Sequence, residues 1–264
     1  MPSIKKVIHE ALDASGKIIK RNINKRKSVT YKGAIDLLTL TDQKVEKKVI
    51  GLIKKNFPRH AVLAEESANE YDARHGAVNR DQSSQYTWII DPVDGTTNFY
   101  HSFPQVCTSI GVEKEGVMIA GGVYDPIRDE LFFAEKGKGA RLNGKKITVS
   151  AAPKLDQSLL VTGFPYDRRE KADYYLSFWK AFMMKTHGIR RLGSAALDYC
   201  YVACGRFDGY WEFKLKPWDV AAGSLILREA GGKLSDFTGK KFSIYETETL
   251  ATNGNIHAEM KKIT

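Results

Sequence analysis

Trp88-Ile89-Ile90-Asp91-Pro92-Val93-Asp94-Gly95-Thr96-Thr97-Asn98-Phe99 is the most informative stretch of this 264-residue chain. Its apolar start reads as a buried strand ending at Asp91. The strand delivers two carboxylates three residues apart, with Pro92 fixing φ between them. Gly95 lets the backbone turn sharply, and two threonine hydroxyls follow. Acids crowded at a strand end repel one another unless a cation lies between them. Carboxylate, carbonyl and water oxygens suit a hard divalent ion such as Mg²⁺. A helix starting near Gly95 would aim free N–H groups at an anion beside the metal. Together these features describe a phosphoryl-transfer site.

On the N-terminal side, Ile4, Val7, Ile8, Ala11, Leu12, Ile18, Ile19 and Ile23 recur at mostly three- and four-residue spacings, predicting an amphipathic helix over 4–23. A second helix is expected from about Thr41 to the residues before Pro58. Ala61–Ala64 reads as a strand leading to Glu65-Glu66-Ser67, and 68–85 as an exposed loop. On the C-terminal side, strands are expected at 106–113, 117–124 and 130–135, with turns at Glu115-Gly116 and Asn143-Gly144. The second half alternates: strand 159–162, helix 171–185, helix 194–203, strand 209–213. A final helix opens at Asp219 and closes at Gly231-Gly232. Asp219 and Asp42 each read as an N-cap, a metal ligand or both. This order implies a layered α/β fold without internal repeats.

Composition narrows the class. Hydrophobic residues at 42% and charged residues at 27% exclude a disordered chain, and no apolar run is long enough to span a membrane. The start of the chain has no signal-peptide core, and Cys107, Cys200 and Cys204 are too few for a disulfide framework; a cytoplasmic location is expected. The net charge of +10 is uneven, because residues 1–32 hold nine bases and two acids. That basic segment reads as a solvated helix face or, alternatively, as an RNA-associated surface. No nucleic-acid module accompanies it, and histidine spacing gives no zinc site. The aromatics Tyr199, Tyr201, Phe207, Tyr210, Trp211 and Phe213 read as core. Aspartyl-phosphate enzymes of the haloacid-dehalogenase type are excluded. They need one residue between the aspartates, and this chain has two.

Four segments together resemble the inositol monophosphatase family: Asp91–Thr97, Ala64-Glu65-Glu66-Ser67, Thr41-Asp42-Gln43-Lys44-Val45-Glu46 and Trp218-Asp219-Val220-Ala221-Ala222-Gly223. Arg190–Asp198 and Arg228–Gly232 extend the resemblance over most of the chain, closest to the bacterial inositol-1-monophosphatase branch. The resemblance implies a single catalytic domain over 1–264, with subdomains of roughly 1–153 and 154–264. It implies an α-β-α-β-α sandwich and a homodimer. It also implies Mg²⁺-dependent hydrolysis of a phosphate monoester, with two or three ions held by Glu65, Asp91, the Val93 carbonyl, Asp94 and Asp219. Asp42 would sit behind, bonded to Thr96, while Glu65 and Thr96 position and deprotonate the attacking water. Gly95, Thr96 and Thr97 would bind the phosphate. Arg190, Gly193, Ser194, Ala195, Glu212 and Asp219 would meet the rest of a small phosphorylated polyol or sugar.

Inositol 1-phosphate is the expected substrate. The alternative is fructose 1,6-bisphosphate or a dual-activity sugar phosphatase, with Arg168, Arg169, Arg190 and Arg191 available to a second phosphate. Two departures from the family pattern are mild: Ala64 stands where a glycine is usual, and Val93 where isoleucine or leucine is common. The 68–85 segment is longer than the family pattern.

Overall fold

The computed structural model describes residues 2–27, 29–31, 37–68 and 84–264. Helix α1 (Ile4–Asn22) begins on Ser3, whose side chain accepts from the Lys6 amide, and buries Val7, Ile8, Ala11, Leu12 and Ile19. Strands β1 (Val29–Tyr31) and β2 (Leu37–Thr39) form an antiparallel pair that leads into α2 (Leu40–Asn56). The α2 N-terminus is a reciprocal capping box: Thr39 is the N-cap, and Asp42 at N3 bonds back to it.

A seven-stranded sheet follows, in the order β3 (Ala61–Ala64), β4 (Tyr86–Asp94), β5 (Cys107–Lys114), β6 (Val117–Asp125), β7 (Glu130–Glu135), β8 (Ala140–Leu142) and β9 (Lys145–Lys146). Only the β3–β4 pair is parallel, and it places Glu65 beside the end of β4. Between β4 and β5 lies a short helix, α3 (Thr96–Tyr100). After β9 the chain builds a five-stranded sheet in the order β11 (Gly188–Arg190), β10 (Leu159–Thr162), β12 (Gly209–Phe213), β14 (Glu248–Thr252) and β13 (Lys233–Ser235). Its helices are α4 (Ala172–Met183), α5 (Ala195–Ala203), α6 (Pro217–Glu229) and α7 (His257–Lys261).

Three apolar clusters explain the layering. The first packs α1 and α2 on one face of the seven-stranded sheet, around Trp88, Ile90, Ile110 and Val112. The second fills the space between the sheets with α5 and α6, through Leu197, Val202, Ala222 and Ile226. The third covers the outer face of the smaller sheet with α4 and α7, through Phe182, Trp211 and Met260. The result is the expected α-β-α-β-α sandwich. Gly121 is required by this closeness, because a Cβ there would sit 2.9 Å from the Ala222 Cα of α6. The aromatic set of the second half is core, as expected: Tyr199, Tyr201, Phe207, Tyr210, Trp211 and Phe213 are all buried.

The structure differs from the sequence reading at particular boundaries. Strand β4 runs on to Asp94 instead of stopping at Asp91, with its register to β5 shifting between the two aspartates. Pro92 has no N–H for the ladder, and the Thr108 hydroxyl donates to its carbonyl at 2.8 Å, so the chain is held through the irregularity. Helix α6 opens at Pro217, not at Asp219, because proline is favoured in the first turn; Asp219 is N3. The expected loop over 68–85 lies, apart from its ends, outside the described residues. Among the described residues no helix is long and apolar enough to cross a membrane.

Candidate active site

Four chain segments meet at the end of β4. Glu65 follows β3, and its amide donates to the Ile90 carbonyl at 3.1 Å. Asp91 and Asp94 end β4 and are buried. Asp219 stands in the first turn of α6, where one of its oxygens (Oδ2) accepts from the Lys216 amide at 2.7 Å. Asp42 is wholly buried at the start of α2.

The four aspartates carry an electrostatic cost of burial. Burial raises the Asp91 pKa well above the ordinary carboxylate range, and the charges of Glu65, Asp94, Asp219 and Glu66 raise it further. Burial also raises Asp219 strongly, with Glu65 as the next cause. Asp94 is raised by burial, but four donors, Ser194, the Ala196 and Ala195 amides and Cys107, offset part of that. Its Oδ2 accepts from Ser194 Oγ and the Ala196 amide, both at 2.7 Å, and from Cys107 Sγ at 3.6 Å. Asp91 has less relief. Its Oδ1 is buried without any hydrogen-bond partner.

That orphaned oxygen tests whether a metal fits. A buried polar atom ordinarily finds a partner, and here the neighbouring side chains are themselves anionic. A divalent cation satisfies the oxygen and neutralises the cluster at once. Among the described residues, no three acids, cysteines or histidines form a ready-made cage. Mg²⁺ does not require one, because it keeps several waters and takes only one or two carboxylates plus substrate oxygens. The donor set fits a hard divalent ion.

Beside the acids lies a turn built for close approach. Gly95 caps α3 with φ +95°, and a Cβ there would lie 2.8 Å from the Gln105 carbonyl. The following amides, of Thr96 and Thr97, are in the first turn of a helix, where no intrahelical acceptor exists. Thr96 Oγ1 is 3.0 Å from both Asp42 Oδ1 and the Val93 carbonyl. Asp42 Oδ2 is held in turn by the Thr39 amide at 3.1 Å and by the Thr39 hydroxyl. Burial raises the Asp42 pKa, and these donors partly counter it.

The smaller sheet supplies the opposite wall. Glu212 on β12 accepts from the Tyr210 hydroxyl at 2.5 Å, and burial raises its pKa to about 7. A Cβ on Gly163 would overlap the Glu212 carboxylate, so the glycine after β10 makes room for it. Gly193 (φ +84°), Ser194 and Ala195 bridge β11 to α5. Ser194 faces Asp94 as a donor rather than standing free. The sequence singled out Arg190, but its guanidinium is exposed and donates to the Ile189 carbonyl at 3.2 Å. The arginine whose charge acts on Glu212 and on buried Asp198 is Arg191.

Three contributors had no signal in the sequence reading: Asn98, Cys107 and Gly163. Asn98 Nδ2 lies 2.9 Å from the Gln105 and Leu192 carbonyls, tying α3 to the loop before α5. Its partners are up to 95 residues away, so no local spacing marks it.

The inositol monophosphatase family profile matches residues 2–263. The inositol-1-monophosphatase of Synechocystis is 44% identical over 254 residues, covering 96% of this chain and 85% of that protein. The Nus factor SuhB of Pseudomonas aeruginosa is 40% identical over 247 residues, covering 92% and 89%. The crystal structure of the extragenic suppressor protein suhB from Bartonella henselae superposes with a TM-score of 0.91 at 36% identity, covering 99% of this chain and 98% of that one. Geometry and relatedness agree: the chain belongs to the inositol monophosphatase family.

Proposed function

We infer that this protein is a Mg²⁺-dependent phosphomonoesterase whose substrate is inositol 1-phosphate. The observation that carries the reading is Asp91: a buried carboxyl with a partnerless oxygen, ringed by Glu65, Asp94 and Asp219. With its carboxyls ionised, such a cluster calls for a cation. The Synechocystis relative's name supports the inositol substrate.

Glu65, Asp91, the Val93 carbonyl, Asp94 and Asp219 would hold the ions, two or three in number. Bound there, Mg²⁺ lowers the pKa of water and neutralises charge on the phosphate oxygens. The chain's own groups do the rest. Asp42 takes the Thr96 hydroxyl proton as a hydrogen bond, which leaves the Thr96 oxygen free to accept one from the attacking water. Glu65 would serve as the base toward that water. The amides of Gly95, Thr96 and Thr97 orient the phosphate for in-line displacement. Glu212 accepts from ring hydroxyls of the polyol, and the Arg191 charge acts on Glu212 to favour its ionised form. Ser194 and the Ala196 amide fix the direction of Asp94.

A sugar bisphosphate is the second reading, favoured by one observation. Burial lowers the Arg168 pKa, and the nearby Arg191 charge lowers it further, so two guanidinium groups share one edge of the site. They could neutralise a second phosphate. The deciding experiment measures phosphate release from inositol 1-phosphate and fructose 1,6-bisphosphate in parallel, with Mg²⁺ and with excess EDTA. Metal-dependent release that favours the inositol ester supports the first reading. Faster bisphosphate turnover, selectively weakened by Arg168→Ala, replaces it with the second. Release that EDTA leaves untouched refutes both.

A further inference from the structure

Helices α1 and α2 lie side by side, and between them runs an open groove of about 700 Å³ on the outer surface of the sandwich. Its charged lining is Arg21 from α1 with Lys44, Lys47, Lys48 and Lys55 from α2. No acid lines it. Ile18 and Leu52 form part of its floor.

The charge segregation along α2 is complete. Its two acids, Asp42 and Glu46, are buried on the inner face, while Lys44, Lys47, Lys48 and Lys55 are exposed on the outer one. Among the described residues none of the five groove cations forms an ion pair. On an ordinary solvated helix, acids three or four residues away would relieve such a row. Here nothing does.

Gly51 is a second, independent observation. It lies in the middle of α2, where glycine weakens a helix, and no packing requires it: a Cβ there would meet nothing within 4 Å. Gly51 also lines the groove, between the Lys47–Lys48 pair and Lys55. A side chain at 51 would rise into the groove, and glycine leaves that space open.

We propose that the α1–α2 groove binds the backbone of a single-stranded nucleic acid. The cations are spread rather than convergent: Lys44 and Lys55 are separated by eleven residues, about 16 Å along the helix. A compact phosphate needs two or three cations around one point, whereas this row suits a linear chain of phosphates. Among the described residues no aromatic side chain lines the groove. Base stacking and base readout are therefore absent, and recognition is by charge alone. The site is separate from the phosphatase reading and does not depend on it.

The test is fluorescence polarisation of labelled oligouridylate with the full chain across a NaCl series. Lys47→Glu/Lys48→Glu and Gly51→Glu are each expected to weaken binding at least tenfold, and the double variant to flatten the salt dependence. Gly51→Ala, which adds only one methyl, should bind within twofold of the parent. A charge-matched control, Lys145→Glu/Lys146→Glu on exposed β9, should lose less than threefold. Circular dichroism confirms that each variant is folded. Absence of oligouridylate binding at low salt overturns the proposal, as does equal loss in the β9 control, which would mean diffuse attraction. Competition by polyglutamate as effective as by polyuridylate also overturns it, assigning the groove to an acidic protein segment.

Discussion

Helix α2 has two faces of opposite charge and opposite cost. Inward, Asp42 is wholly buried and bonded to Thr39 and Thr96 at the edge of an acid cluster. Outward, Lys44, Lys47, Lys48 and Lys55 stand in water along a groove. Ionising the buried acids costs stability, so their presence asks for a compensating function. The exposed lysines cost little, so number alone says nothing about them. Burial makes charge informative on the inner face. On the outer face, only the lack of counter-charges and the unexplained Gly51 do so.

The largest expected effect is on the inner side. Asp94→Asn keeps the shape that receives Ser194 and Ala196 but removes a charge from the proposed metal site. Metal catalysis contributes several kcal/mol, and each 1.36 kcal/mol is tenfold in rate, so Mg²⁺-dependent turnover should fall on the order of 10³-fold. A steady-state assay checks this, and unchanged oligouridylate binding in the same variant would show that the two faces act separately. Full activity would remove the acid cluster from the chemistry.

The next effect is on stability. Glu212 titrates near 7 in the folded protein instead of near its ordinary value of 4.5, and Asp91 and Asp219 are shifted in the same direction. The folded state therefore holds protons that the unfolded chain releases. Stability in EDTA is fully present below about pH 4.5 as far as Glu212 is concerned, and is lost as pH rises through 7. Thermal melts should show Tm falling over that range, by several degrees, and Asp91→Asn should flatten the fall. Mg²⁺ should raise Tm more at pH 8 than at pH 5.5, because it binds the ionised cluster. A melting curve in EDTA that is independent of pH would contradict the burial of these charges.

A smaller effect separates two neighbouring arginines. Arg191→Ala removes the cation next to Glu212 and should raise KM for the phosphorylated polyol about tenfold, near 1.4 kcal/mol. Arg190→Ala, which loses only a bond to the Ile189 carbonyl, should change KM less than twofold. Kinetics on both variants decide it, and the reverse order would restore Arg190 to the site.

That pair also shows where sequence reading stops. The β4–α3 turn was legible because the chemistry is local: an apolar strand, two carboxylates, a glycine and a threonine lie within ten residues. The layered fold followed from helix periodicity and strand runs. Arg190 and Arg191 are adjacent and chemically alike, and only the folded chain, in which β11 ends at Arg190, shows that the Arg191 charge is the one acting on Glu212 and Asp198. Nothing in Gly188–Arg190 announces a strand of three residues. Asp219 reads as the helix opening from sequence, but the helix starts two residues earlier at Pro217, and Asp219 is N3, accepting from the Lys216 amide. The support of Asp94 by Cys107, Ser194 and Ala196 spans 13 to 102 residues. Only the packing of the second sheet against the first brings these groups together.

The smallest effect bears on the outer face, and Gly51 isolates it. If Gly51 were an accident of a solvated surface, replacing it by alanine would improve α2 without other consequence. Host measurements put alanine about 1 kcal/mol above glycine in a helix interior, and the open space around the position removes any steric penalty. Gly51→Ala should therefore raise Tm by roughly 2–4 °C in a protein of this size, with phosphatase activity unchanged. Larger residues of good helix propensity, Gly51→Gln and Gly51→Glu, should keep most of that gain. A chain that forgoes so accessible a gain at the midpoint of an acid-free row of lysines is using the space for something else. Loss of oligouridylate binding in proportion to the volume and negative charge placed at 51, in variants more stable than the parent, would tie the glycine to the groove. Equal binding in all three would leave it a neutral feature of the helix.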